Sequence, residues 1–206
     1  MKHLPWVVAA VIMLAVPLSG AEEKVVFEDK FDGKLADGWT WLRENAKTWR
    51  IADNALEIRV EPGVAGTVKN ALLRKAPDRT GGKFAIEVTI TSAVPPTNQY
   101  EQAGLTWYQG TKPVFKLVHE LVDGKTCIVP GKVPTTTRKV QLRLVVTKDQ
   151  FVAQFRPDAA GDFKTAASGA LAPGADEQLS IQCYNGPPDA EHWIRFDDFR
   201  IVQLSE

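Results

Sequence analysis

The run Tyr100-Glu101-Gln102-Ala103-Gly104-Leu105-Thr106-Trp107-Tyr108 brings acidic, amide, hydroxyl and aromatic groups into one short stretch. Read as a β-strand, its side chains alternate, with Glu101, Ala103, Leu105 and Trp107 on one face and Tyr100, Gln102, Gly104, Thr106 and Tyr108 on the other. The first set reads as core. The second carries hydrogen-bonding and stacking groups. A sugar ring offers an apolar face of C–H groups and a rim of hydroxyls, so its site wants Trp or Tyr platforms beside amides and carboxylates. Tyr100, Gln102, Trp107, Tyr108, Lys116, His119, Glu120, Tyr184, Asn185 and Trp193 supply both kinds of group, with core packing the competing role for Trp107.

Chemistry on a bound sugar would need two carboxylates across the scissile bond. Glu101 and Glu120 are the candidates, expected on one side of neighbouring strands; each also reads as a rim carboxylate or as an ion-pair partner for Lys116 or Arg143. His119 and His192 are the only histidines beyond the N-terminal segment, and no G-x-S-x-G turn is present to expose a serine nucleophile. Asp29 and Asp32 near the first strand, with Asp197 or Asp198 in the last, would converge if those strands pair. Their oxygens would suit a structural Ca²⁺, and no cofactor is required by anything in the sequence. Asp32-Gly33 is equally a plain turn.

Cys127 and Cys183 are the only cysteines. An oxidising compartment would let them pair, closing a loop of roughly 57 residues worth about 4 kcal/mol in the chain-entropy model. Two buried free thiols are the alternative. No C-x-x-C is present, so redox catalysis and a cysteine zinc site lack support.

The elements that must position these groups are strands. Nearly every apolar segment has period two, is rich in Val, Ile, Thr and aromatics, and ends at Gly, Pro, Asp or Asn. The pattern predicts strands over 25–28, 48–51, 55–60, 71–74, 84–91, 101–108, 114–121, 140–147, 151–156, 178–184 and 193–202. Asp53-Asn54, Asp123-Gly124 and Lys148-Asp149-Gln150 separate successive runs as turns. No window sustains a helical stripe. An all-β chain with many closely spaced strands predicts a two-sheet antiparallel sandwich or a closed barrel.

Residues 1–21 have the form of an export signal, with Lys2, an apolar stretch from Trp6 to Leu18 and small residues Ser19, Gly20 and Ala21. The apolar stretch is short for a bilayer span, which needs about 20 residues. The expectation is one domain over 22–206, secreted or periplasmic, and free of the membrane after cleavage. Lys and Arg number 25, Asp and Glu 25, for a formal net charge of +0, which gives no electrostatic case for a nucleic-acid partner.

The order of short motifs is informative. Phe27-Glu28-Asp29-Lys30-Phe31-Asp32-Gly33, Trp39-Thr40-Trp41-Leu42-Arg43-Glu44, Trp49-Arg50-Ile51, Leu56-Glu57-Ile58, Tyr100 to Leu105 and Trp193 to Ile201 together resemble the concanavalin A-like lectin/glucanase superfamily. More narrowly, they resemble the sandwich domains appended to bacterial β-xylosidases. The resemblance implies a jelly roll of two curved sheets with a concave ligand face. It leaves function open, because such relatives include enzymes and non-catalytic modules. Retaining glucanases of this superfamily carry Glu-x-Asp-x-x-Glu on one strand, a spacing this chain lacks. A carbohydrate-binding protein is therefore the leading expectation, alone or beside a separately encoded enzyme. A glycoside hydrolase using Glu101 and Glu120 and a cell-envelope protein-interaction module are the alternatives.

Overall fold

The computed structural model describes residues 23–157 and 161–205, so the expected export signal over 1–21 lies outside the described residues. The chain is all-β. Its strands are β1 (Lys24–Asp29), β2 (Thr40–Leu42), β3 (Trp49–Ala52), β4 (Ala55–Arg59), β5 (Ala71–Lys75), β6 (Lys83–Ser92), β7 (Gln102–Gln109) and β8 (Lys112–Val122). They continue as β9 (Lys125–Val129), β10 (Val133–Pro134), β11 (Lys139–Val146), β12 (Gln150–Arg156), β13 (Lys164–Ala170), β14 (Glu177–Tyr184) and β15 (Trp193–Leu204).

Two antiparallel sheets form a sandwich. The first runs β13-β12-β11-β6-β15-β4-β3, with β1 also paired to β15; the second runs β10-β9-β8-β7-β14-β5-β2. The first and last strands pair, the condition for the N- and C-terminal aspartates to converge, with Glu28 opposite Arg200 and Asp29 opposite Phe199. The turn residues act as their chemistry dictates. Asp53 and Asn54 (φ 49° and 55°) join β3 to β4, and Asp123 and Gly124 (φ 52° and 74°) join β8 to β9, the left-handed pair that a two-residue hairpin needs.

Alternation fills the space between the sheets. Ala103, Leu105 and Trp107 of β7, Leu179, Ile181 and Cys183 of β14, and Ile86, Val88 and Ile90 of β6 all belong to one buried apolar cluster. Burying each large aliphatic side chain contributes roughly 1.5–3 kcal/mol. At one end of the sandwich Arg79 ties the sheets together. Its guanidinium donates to both Glu177 oxygens (3.0 and 2.5 Å) and to the carbonyls of Thr147, Leu171 and Ala172. It also lies 5.1 Å from the Trp107 ring. With all five N–H groups engaged, this buried cation is held without a desolvation deficit.

His119 belongs to this interior too. It stands opposite Ala103 on β7 and Ile128 on β9, both core residues, so its ring points between the sheets. A ring nitrogen lies 2.8 Å from Thr135 Oγ1, and burial lowers its pKa from 6.5 to about 4. The ligand-contact role expected for His119 is thereby corrected: its neighbour Glu120 takes the outward face.

Gly104 sits between Gln182 and Val118 in the middle of the second sheet, at φ 151°. A Cβ there would collide with the Leu117 carbonyl, Leu142 Cδ1 and Val118 Cα. Gly104→Ala is expected to destabilise the fold by about 2 kcal/mol or more, read as a lower urea midpoint at unchanged m-value. For His119 the folded pKa lies below the unfolded one. The stability from keeping it neutral is complete above pH 6.5 and is lost as pH falls toward about 4. Wild-type stability should fall at up to about 1.4 kcal/mol per pH unit more steeply in that window than that of His119→Gln. Parallel pH profiles for the two proteins would contradict the buried neutral histidine.

Candidate functional site

Strand register fixes which polar groups share the outward face of the second sheet. One row across it is Tyr184, Gln102, Glu120 and Cys127; another is Ser180, Thr106 and Lys116; Gln182, Gly104 and Val118 lie between them. The face that the sequence marks as sugar-facing is thus assembled from four adjacent strands, β14, β7, β8 and β9.

Its side chains form a connected network. Lys116 Nζ donates to Gln102 Oε1 (2.8 Å) and to Glu120 Oε2 (2.9 Å), while Gln102 Nε2 donates to Glu120 Oε1 (3.2 Å) and to the Tyr100 carbonyl (2.8 Å). Further along β7, the Tyr108 hydroxyl donates to Gln182 Oε1 (2.8 Å), which also accepts from Ser180 Oγ (3.1 Å). Burial raises the Tyr108 pKa against the opposing effects of that hydrogen bond and of the Arg43 charge. Burial, and then the charge of Glu120, raises that of Tyr184. Both phenols stay neutral at any physiological pH. On the β5 side, Tyr184 packs with Val68, Ala71 and Leu73, and Arg43 Nε donates to the Val68 carbonyl (2.7 Å).

Two buried groups of this face lack a partner among the described residues: Thr106 Oγ1 and Gln182 Nε2. Thr106 is 3% exposed and Gln182 1%. An unpaired buried polar group costs about 1–3 kcal/mol, so such a pair marks where water or a ligand group belongs.

Several expected site residues are placed elsewhere. Trp107 is fully buried between the sheets, so it is core and not a stacking platform. Trp193 projects from the other sheet, where the Arg50 guanidinium stacks 4.5 Å from its ring. Tyr100 is 51% exposed at the entry to β7. Asn185, just beyond β14, donates to the Gln99 carbonyl and so braces the loop leading into β7. Glu101 does not face Glu120. Its carbonyl accepts the Leu121 amide, and its own amide donates to the Asn98 carbonyl, while Gln102 pairs with Glu120; adjacent residues of a strand project to opposite faces. The Glu101 carboxylate instead lies 2.7 Å from His192 Nδ1 and accepts the Thr97 and Asn98 amides (2.9 and 3.3 Å). It anchors the 93–101 loop, and the expected same-side acid/base pair is corrected.

The expected calcium site is not assembled. Both Asp29 oxygens accept protein donors: Phe31 N (2.7 Å), Ala36 N (2.9 Å) and Trp39 Nε1 (2.8 Å). No group of three or more His, Cys, Asp or Glu among the described residues could hold a metal, so Asp29, Asp32 and Asp197 do not form one site. The expected disulfide is also corrected. Cys127 on β9 and Cys183 on β14 are buried free thiols. Two strands, β8 and β7, separate them, a gap of about 14 Å against the roughly 6.8 Å limit between bridged Cα atoms. Cys183 also points into the core, and Cys127 to the opposite face. Burial pushes both thiols up, away from the reactive thiolate.

A surface cleft of about 670 Å³ around Lys75, Lys148, Asp78, Asp176 and the Arg79–Glu177 pair has no signature in the sequence, because loops and strand ends far apart in the chain build it at one end of the sandwich. No aromatic side chain lines it, so it lacks a stacking surface.

No family model matches the sequence, and no curated protein does. Solved structures do. The chain is similar to the GH43 protein BlXynB from Bacillus licheniformis, with TM-score 0.71 and 16% identity over 86% of this chain and 39% of that one. The bifunctional GH43-CE protein of Bacteroides eggerthii gives TM-score 0.70 and 19% identity over 88% of this chain and 26% of that one. The CBM2 module of the Lactobacillus casei BL23 phage J-1 evolved Dit gives TM-score 0.59 and 8% identity over 90% of this chain and 98% of that one. The chain spans about two fifths or less of the two GH43 proteins' length. At these identities the likeness establishes fold, and that fold is the concanavalin A-like β-sandwich found in the sandwich domain of β-xylosidases.

Proposed function

We propose that this is an exported, non-catalytic β-sandwich that binds carbohydrate on the outward face of its second sheet. The observation that carries the reading is the polar network of Lys116, Gln102 and Glu120 beside Tyr108 and Gln182, with the buried Thr106 hydroxyl and one end of the Gln182 amide unpartnered. A closely spaced set of amide, hydroxyl, ammonium and carboxylate groups on a rigid sheet matches the hydroxyl pattern of a sugar, and the strands hold it without ordering cost on binding. Exposed Tyr100 at the end of the same strand offers a ring for stacking.

The solved relatives add a choice of sugar. One similar structure is a xylan β-1,4-xylosidase from Bacillus halodurans C-125 and another a GH43 protein of a Bacteroides ovatus xyloglucan locus, so xylans and xyloglucans are the first glycans to offer. A hydrolase built on Glu101 and Glu120 is disfavoured by their opposite faces and by the structural work of the Glu101 carboxylate. Export through the segment 1–21 belongs to the same proposal and places the protein where such polymers occur.

The purified protein is expected to bind a xylan or xyloglucan while releasing no reducing sugar. Gln102→Ala and Tyr108→Phe should each weaken binding about tenfold by disrupting this network, and Gln102→Ala should also lower the thermal midpoint, because it takes one hydrogen bond each from Glu120 and Lys116. Release of sugar abolished by Glu120→Gln would overturn the non-catalytic reading, and failure to bind any glycan in a broad array would overturn the proposal.

A further inference from the structure

The unused hydrogen-bonding capacity of this face is unequal in kind, and that inequality bears on the ligand's charge. Glu120 is the one buried carboxylate on the outward side of the second sheet among the described residues, and both its oxygens are already engaged, by Gln102 and Lys116. Acceptors are therefore largely taken. Donors remain. Lys116, whose side chain is 33% exposed, uses two of its three N–H groups, on Gln102 and Glu120. Arg43 is exposed and uses only Nε, on the Val68 carbonyl; its terminal nitrogens have no acceptor among the described residues.

These two cations approach one row of the face: Arg43 holds the Val68 carbonyl beside Tyr184, and Lys116 donates to Gln102 and Glu120, which share the row of Tyr184. Thr106 lies directly across from Lys116 in the register, and Tyr108, hydrogen-bonded to Gln182, lies within the field of Arg43. The same face thus carries a guanidinium with a free planar fork, an ammonium with a free N–H, and the unpartnered Thr106 hydroxyl and Gln182 amide end. A neutral sugar would have to offer hydroxyl oxygens to both cations. A carboxylate accepts only, matches the guanidinium fork in two parallel hydrogen bonds, and neutralises the positive charge that remains on Arg43 once Glu120 has paired with Lys116.

Resting on the carbohydrate-binding reading, we infer that the glycan taken by this face is acidic, and that the carboxylate of a uronic acid unit is held between Arg43 and Lys116. The ligand class is thereby a glucuronic or galacturonic acid-bearing polysaccharide in preference to its neutral counterpart.

The test is calorimetric titration of the purified protein with glucuronoxylan oligosaccharides, with the same oligosaccharides after reduction of their carboxyl groups to alcohols, and with oligogalacturonate. An acidic ligand bound at least about tenfold more tightly than its reduced form, with affinity falling as salt rises, is the expected result. Arg43→Gln should remove that preference and Arg43→Lys restore part of it. Lys116→Met paired with Glu120→Gln removes the second cation without leaving a buried carboxylate unpaired, and should also remove it. Equal binding of acidic and reduced forms would overturn this inference and leave the carbohydrate reading standing. Binding of neither form, nor of any neutral glycan, would overturn both.

Discussion

The pairing of β7 between β14 and β8 is the constraint on which the rest depends. Leu105 stands opposite Ile181 and Leu117, and Thr106 opposite Ser180 and Lys116, so one register assigns a whole set of residues to the core and its complement to the surface. A slip of one residue would exchange Trp107 with Tyr108 and carry Gln102 and Thr106 into the apolar interior. Apolar burial in the inner rows holds the register in place. Gly104 permits it sterically, since a side chain at that backbone conformation would strike the neighbouring strand and the opposite sheet.

Within this frame most charged groups serve the architecture. Arg79 closes one end of the sandwich through Glu177 and three carbonyls. Asp29 folds the 30–39 loop onto the sheet edge through Phe31, Ala36 and Trp39. On the outer side of the first sheet Glu87, fully buried, lies between Arg143 and Arg200 across three strands. Arg79 and Asp29 have partners that repay their removal from water, while Glu87 Oε1 and Arg143 Nε are left without a hydrogen-bond partner among the described residues and rely on their ion pair. The outward face of the second sheet also buries polar atoms without partners, on Thr106 and Gln182, and there they accompany Lys116 and Arg43, cations with donors to spare.

Much of this was legible in the residues because period two is a strong local signal. The faces of β7 and the turn at Asp53-Asn54 follow from spacing and side-chain shape. Strand β13, with the sequence Lys-Thr-Ala-Ala-Ser-Gly-Ala, was not legible, since an exposed edge strand of small residues has neither alternation nor β-branched bulk. The partners of Glu101 were also hidden. His192 is 91 positions away in the chain, and only the folded arrangement of the 93–101 loop brings it to 2.7 Å. Likewise the separation of Cys127 from Cys183 depends on two intervening strands, which composition and compartment do not reveal.

The most direct measurement of where ligand meets this sandwich is an NMR titration of the labelled protein with a bound glycan, following side-chain amide and backbone resonances. Binding on the outward face of the second sheet predicts shifts centred on Gln102, Thr106, Lys116 and Gln182, with Trp193 and Arg200 on the first sheet unchanged. Shifts centred instead on the cleft around Lys75, Lys148 and Asp176, or on the first sheet around Trp193, would contradict it.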